Sequence, residues 1–157
     1  MYCSAREFFE AAREAARDAA RIGRQLDGME RRALALGGGG FEPRVRSTPD
    51  PDRIGRGVAA KVDNEAILRE RQESDYALID AACAVLYGPD NRSGLYALVG
   101  WPADAIWHHY LGLRTWEDTA DLMGYSTRHV QTCVAAALDV ADANGQMWTE
   151  LGEGMAE

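Results

Sequence analysis

The sequence predicts an all-α protein: a long antiparallel helical hairpin followed by a C-terminal trihelical unit built around a helix-turn-helix. Three observations carry this. Apolar residues recur at three- and four-residue spacing through 4–36 and much of 51–87. Residues 115–134 place two helix-capping signals on either side of a glycine between amphipathic segments. Glycine- and proline-rich stretches after residues 36 and 87 separate these blocks. The layout is a helical hairpin over 1–88, a helix-turn-helix domain over 95–145 and a tail over 146–157.

The first helix is predicted over 4–36. Ser4 caps it, and Glu7 completes a capping box in which side chains satisfy backbone N–H groups that the first turn leaves orphaned. Phe8, Ala12, Ala15, Ala19, Ile22, Leu26, Met29, Ala33 and Leu36 form a heptad seam of the coiled-coil kind. At ~1.5 Å per residue it is roughly 42 Å long. Alanine fills its middle, so a partner helix must approach closely there and each contact buries little area. Glu10 with Arg13, Glu14 with Arg17 and Asp18 with Arg21 are i,i+3 pairs, each adding about 0.2–0.5 kcal/mol. They read as a solvated, self-paired face.

Gly37-Gly38-Gly39-Gly40 begins a flexible loop over 37–50, with Pro43 and Pro49 inside it. Arg44, Arg46, Arg53, Arg56 and Lys61, opposed by Glu42, Asp50 and Asp52, make this the most basic stretch of the chain. An ordinary solvated loop is the simpler reading, and contact with DNA backbone or a partner is the alternative.

A second helix is predicted over 51–87, with Asp50 as cap and Pro51 at the first helical position. Ile54, Val58, Val62, Ala66, Tyr76, Ile79, Cys83 and Leu86 are expected to face one way. Folding back as a hairpin makes this helix the partner of the first seam. A coiled-coil homodimer through the N-terminal helices competes for the same seam. From Tyr76 onward both faces are apolar, so that end is expected to lie against the C-terminal helices.

Residues 88–94 are a loop, 95–99 a short helical turn, and Pro102 opens a helix through Tyr110 that Gly112 closes. Ala103, Ile106, Trp107 and Tyr110 point inward. Thr115 then caps a helix with Asp118 as its capping-box acid, and Trp116, Ala120 and Met123 share one face. Gly124 supplies the left-handed residue that ends it. Ser126 caps the next helix, whose apolar face is Val130, Cys133, Val134, Ala137 and Leu138. In the tail, Trp148, Leu151 and Met155 are spaced to pack back on the body as a short helix or to bind a partner.

Composition bounds the function. No apolar run approaches the ~18 residues of a membrane span, and the first residues lack a signal-peptide core, so the chain is expected to be cytoplasmic, with no membrane partner. Cys3, Cys83 and Cys133 lie far apart, with no Cys-x-x-Cys, which indicates neither a disulfide framework nor a zinc site. Cys83 and Cys133 read as small core residues. The net charge is −8. Residues 101–144 hold Arg114 and Arg128 against six acids, an adverse balance for a surface that must neutralise phosphates. A partner or dimerisation would have to make up the deficit.

Residues 103–126, Ala-Asp-Ala-Ile-Trp-His-His-Tyr-Leu-Gly-Leu-Arg-Thr-Trp-Glu-Asp-Thr-Ala-Asp-Leu-Met-Gly-Tyr-Ser, resemble region 4 of sigma-70-type factors. The likeness is to the small phage and prophage proteins of that type, including the ArpU-like late regulators. These share a tyrosine-ended helix, a Gly turn, Thr/Ser-Trp-Glu opening the next helix and Gly-Tyr-Ser before the recognition helix. The resemblance implies a DNA-binding transcription regulator carried by a phage or prophage. Nothing in the chain resembles the promoter-melting region of a full sigma factor.

If the second helix lies in the major groove, its outward residues are Ser126, Thr127, Arg128, Gln131 and Thr132. Arg128 can contact guanine bidentately and Gln131 can pair with adenine. Arg114 and Thr115 sit where the first helix meets phosphate. His129 is placed nearer the core edge. A protein-interaction or oligomerisation module is the competing reading, docking on RNA polymerase or a phage assembly partner, including a small-terminase-like role. Enzymatic function is not indicated. No phosphate loop, nucleophile elbow or paired-carboxylate motif is present, and no cofactor is implied. Adjacent His108 and His109 diverge on a helix, and His129 with Cys133 makes at most two ligands.

Overall fold

The computed structural model describes residues 2–37, 51–90 and 93–145, with only the backbone described at 36, 37 and 51–60. Every regular element among them is helical and no strand occurs, so the all-α expectation holds. The helices are α1 (Ala5–Gly37), α2 (Pro51–Tyr87), α3 (Leu95–Val99), α4 (Trp101–Ile106), α5 (Trp116–Met123) and α6 (Thr127–Ala143). A π-helical turn, Trp107–Leu111, continues α4. Contacts group the chain into two compact units: Met1–Arg17 with Asp75–Glu157, and Asp18–Ser74.

In the first unit, Ala5, Phe8, Phe9 and Ala12 of α1 and Ala82, Val85 and Leu86 of α2 join one apolar core with Leu95, Ala103, Ile106 and the inner face of α6. The start of α1 is tied down by polar contacts. Ser4 Oγ accepts from Glu7 N–H at 3.2 Å, and the Glu7 carboxylate accepts from Cys3 N–H at 2.7 Å. The Ala5 N–H donates to Asp142 Oδ1 at 2.5 Å, so an acid near the end of α6 satisfies a first-turn donor of α1. Arg17 pairs with Glu14 at 2.5 Å, as the i,i+3 spacing predicts. Arg13 departs from its expected partner: its guanidinium contacts His109 Nε2 instead.

In the second unit, Arg21 pairs with Asp18 at 2.9 Å. Asp18 and Ala19 of α1 also meet Arg71 and Gln72 of α2. Arg71 pairs with Asp18, and the Gln72 side-chain amide donates to Ala19 O at 3.2 Å. Lys61 lies along the same groove as Ala33, so here the two segments run side by side in opposite directions.

The seam of α1 is buried at Phe8, Ala12, Ala15, Ala19 and Ile22. It then opens: Leu26 and Met29 are half-buried and Ala33 is exposed. The inward face of α2 agrees with expectation at Ile79, Cys83 and Leu86 and differs from it nearer the middle of the helix. Val62 (59% exposed) and Tyr76 (50%) point outward, with Ala66 also exposed. The less exposed positions are Leu68, Gln72, Asp75 and Ile79, leading to Ala82 and Leu86. Here a polar residue, Gln72, takes a position facing α1 by bonding its backbone, which apolar spacing does not register. Side chains of Leu36, Ile54 and Val58 lie outside the described residues.

The 102–110 helix changes type midway. Pro102 sits in the first turn of α4, but after Ile106 the chain widens into the π-turn, and Gly112 N–H reaches Trp107 O at 2.8 Å. Gly112 has an ordinary φ of −74°, and the left-handed residue is Leu113 at φ 56°. Glycine is needed at 112 for space, since a Cβ there would stand 2.8 Å from His108 O.

Candidate functional site

The α5–turn–α6 segment is built by local chemistry. Thr115 Oγ1 accepts from Asp118 N–H at 3.1 Å and donates to Asp118 Oδ2 at 2.8 Å. Asp118 at the helix start is favoured by the α5 dipole. Gly124 adopts φ 74°, ψ 28°. Gly124 N–H bonds Asp121 O at 3.3 Å and Tyr125 N–H bonds Ala120 O at 3.1 Å, a Schellman closure. Ser126 Oγ then accepts from His129 N–H at 3.3 Å and starts α6.

α6 is two-faced. Val130, Val134, Ala137, Leu138 and Ala141 are buried, whereas Arg128, Gln131 and Thr132 are exposed. Ser126 and Arg114 are exposed as well, and Thr127 is half-buried. Several hydroxyls among the predicted residues are already engaged. Thr115 uses both hydroxyl functions on Asp118, and Thr132 donates to Arg128 O at 2.9 Å. Ser126 has accepted one backbone bond. The side chains left to reach outward are those of Arg114, Thr127, Arg128 and Gln131, with the Ser126 O–H.

An aromatic ledge borders this edge, and the sequence reading missed it. Tyr125 stacks on Trp101 with centroids 4.7 Å apart and planes 23° off parallel. His129 tilts against both rings, at 5.9 Å from Trp101 and 5.2 Å from Tyr125. His129 is exposed rather than at the core edge. The i,i+4 spacing of Tyr125 and His129 was the available signal. Leu122 and Tyr125 remain about half exposed next to the turn.

Behind α5, His109 is 8% exposed and lies between Arg13 and Trp116. Burial, then the Arg13 cation, lowers its pKa to about 4. Neutral His109 therefore accepts from Arg13 at Nε2 and carries its proton on Nδ1. The Arg114 backbone works against the shift, but no hydrogen bond of ordinary geometry reaches Nδ1. His108 is also held below its usual range, by burial and then Arg114, with Asp104 opposing.

The charge around the site is adverse to phosphate. Glu117, Asp118 and Asp121 are all exposed on α5. The Cys133 and His129 pair is poorly placed to share an ion. The sulfur lies 3.6 Å from Nε2 and 4.0 Å from Nδ1, nearly equidistant and so off the lone-pair axis of either nitrogen. Among the described residues no group of three or more His, Cys, Asp or Glu could hold a metal, and no helix is long and apolar enough to cross a membrane. Cys83 and Cys133 are half-buried, and burial raises the Cys83 thiol pKa. Gly37, expected in the loop, ends α1, while residues 38–50 with Arg44 and Arg46, the side chains of Arg53 and Arg56, and the tail with Trp148, Leu151 and Met155 lie outside the described residues. Compared with family models, curated proteins and solved structures, the chain matches none.

Proposed function

We propose that α5, the Gly124 turn and α6 form a helix-turn-helix, in a DNA-binding transcription regulator of phage or prophage type that resembles sigma region 4. The observation that carries this reading is the exposure of Arg128 and Gln131 on the first turns of α6, whose buried stripe is Val130, Val134 and Leu138. In the groove, Arg128 faces guanine O6 and N7, and Gln131 pairs with adenine. Ser126, Thr127 and Thr132 line the same edge. Arg114 and Thr115 lie toward the backbone phosphates at the start of α5. The long helices serve as an antiparallel hairpin scaffold for this unit.

The exposed acids of α5 favour a second reading. Glu117, Asp118 and Asp121 are exposed on the same short helix as the half-exposed Leu122, a surface suited to a basic protein partner. On that reading the unit docks on RNA polymerase or a phage assembly partner, including a small-terminase-like role.

Selection of bound sequences from random double-stranded DNA, using the full chain near 50 mM salt, separates the two. The DNA reading expects an enriched motif whose binding is lost at the guanine position in Arg128→Ala. A library with no enrichment at this low salt rejects it in favour of protein docking.

A further inference from the structure

Among the described residues, the α1 seam continues past Ile22, where burial gives way to half-buried and exposed positions. Leu26, Met29 and Ala33 keep the heptad spacing of Ala19 and Ile22, but lie along an open groove of about 480 Å³ within the Asp18–Ser74 unit. A heptad period is the pattern by which one helix packs on another, so the chemistry here calls for further helices.

The charges indicate whose helices. The α1 wall of the groove presents Asp27 and Glu30, and the α2 wall presents Lys61 and Arg69. Arg69 pairs with Glu65 on the same wall at 2.7 Å, so the α2 wall carries a net +1 against −2 on the α1 wall. A two-fold axis would set the acidic wall of one copy against the basic wall of the other, since an isologous contact must be self-complementary. We infer that this groove is the seat of a second copy of this chain, giving a four-helix contact between two Asp18–Ser74 units.

Its size sets the strength. At ~1.5 Å per residue, residues 18–37 span roughly 30 Å, and two adjacent helices present a face roughly 20 Å wide. That is roughly 600 Å² per copy, below the roughly 800 Å² of a standard interface. A contact of that size belongs with the weaker associations, so the dimer is expected to be concentration-dependent. It does not rest on the DNA reading, because association is measured without DNA.

Light scattering of the full chain from about 1 to about 200 µM tests it across that range. Mass should rise from 17.2 kDa toward twice that value. Leu26→Glu with Met29→Glu should hold the mass at one chain, with helical circular dichroism retained. Charge reversal gives an independent readout. Asp27→Lys with Glu30→Lys, and separately Lys61→Glu with Arg69→Glu, should each weaken self-association about tenfold or more. An equal mixture of the two should associate again. A single-chain mass throughout, a plateau at another multiple, association indifferent to the apolar substitutions, or a mixture that stays monomeric overturns the proposal.

Discussion

The imidazole of His109 lies flat on the indole of Trp116, with ring centroids 3.6 Å apart and planes 14° off parallel. Arg13 of α1 contacts the same imidazole at Nε2. The N-terminal helix thus meets the π-turn and the first turn of α5, about a hundred residues on, at one ring. Neutral His109 suits the arrangement, because a protonated ring would face the Arg13 guanidinium.

Stability should therefore depend on pH through His109. Its folded pKa of about 4 lies below the ordinary 6.5, so between these values the unfolded chain binds more protons. The contribution is fully present above pH 6.5 and is lost as pH falls toward 4, up to about 3 kcal/mol. Carboxylates titrate in part of this window, so the comparison is with His109→Gln, which keeps an acceptor for Arg13 but cannot protonate. Urea unfolding at pH 7 and pH 4.5 should show a smaller loss in the variant. Equal losses in both proteins would exclude His109 as the source.

Glycines 112 and 124 should fail for different reasons. Gly124→Ala meets no atom within 4 Å but must hold φ +74°, a strain of about 1–2 kcal/mol. Gly124→Asn should recover part of that, since asparagine tolerates the left-handed region. Gly112→Ala has an ordinary φ but drives a methyl against His108 O at 2.8 Å. Displacing that backbone should cost about 1–3 kcal/mol. Gly112→Asn should recover nothing, since it carries the same Cβ. Equilibrium unfolding of the four variants checks the pattern.

These positions show what the sequence carried. Local chemistry was legible: Thr115, Gly124 and Ser126 act within three or four residues of themselves, where capping and turn rules apply, and the structure places them as those rules require. The α1 seam was legible in period but not in extent, because where burial stops after Ile22 depends on the other helix. The inward face of α2 was legible at Ile79, Cys83 and Leu86 but not at Val62, Ala66 and Tyr76, because a polar residue, Gln72, takes a facing position by bonding Ala19 O, and apolar patterning is blind to that. The Arg13 contact with His109 joins residues far apart in sequence through a π-turn that no spacing rule announced. Arg13 had a plausible local partner in Glu10, which hid its tertiary one.

Asp142 should matter to the opposite end of the chain. Its carboxylate accepts the Ala5 N–H at 2.5 Å, where the α1 dipole also favours a negative charge. Asp142→Ala should destabilise the protein by about 1–2 kcal/mol. It should speed amide exchange in the first turn of α1 more than in α5. Asp142→Asn retains an acceptor without the charge and should lose less. Exchange mass spectrometry on peptides spanning residues 2–12 reads both effects.

The acids of α5 give the last prediction, because they bear on both functional readings. In a helix-turn-helix the first helix crosses the DNA backbone, where Glu117 and Asp121 oppose phosphate. Neither is among the residues placed at the reading edge, and both are exposed, so Glu117→Gln with Asp121→Asn should leave the fold intact. Removing two repulsive charges should tighten DNA binding by about 1–2 kcal/mol at low salt, with the gain shrinking as ionic strength rises. Arg128→Ala should shift affinity the other way, by about 1–3 kcal/mol on the selected site and little on unrelated duplex. Fluorescence anisotropy across a salt series distinguishes the outcomes. If neutralising the acids leaves DNA affinity unchanged, α5 does not approach the backbone. Its exposed acids and Leu122 would then belong to a contact with protein.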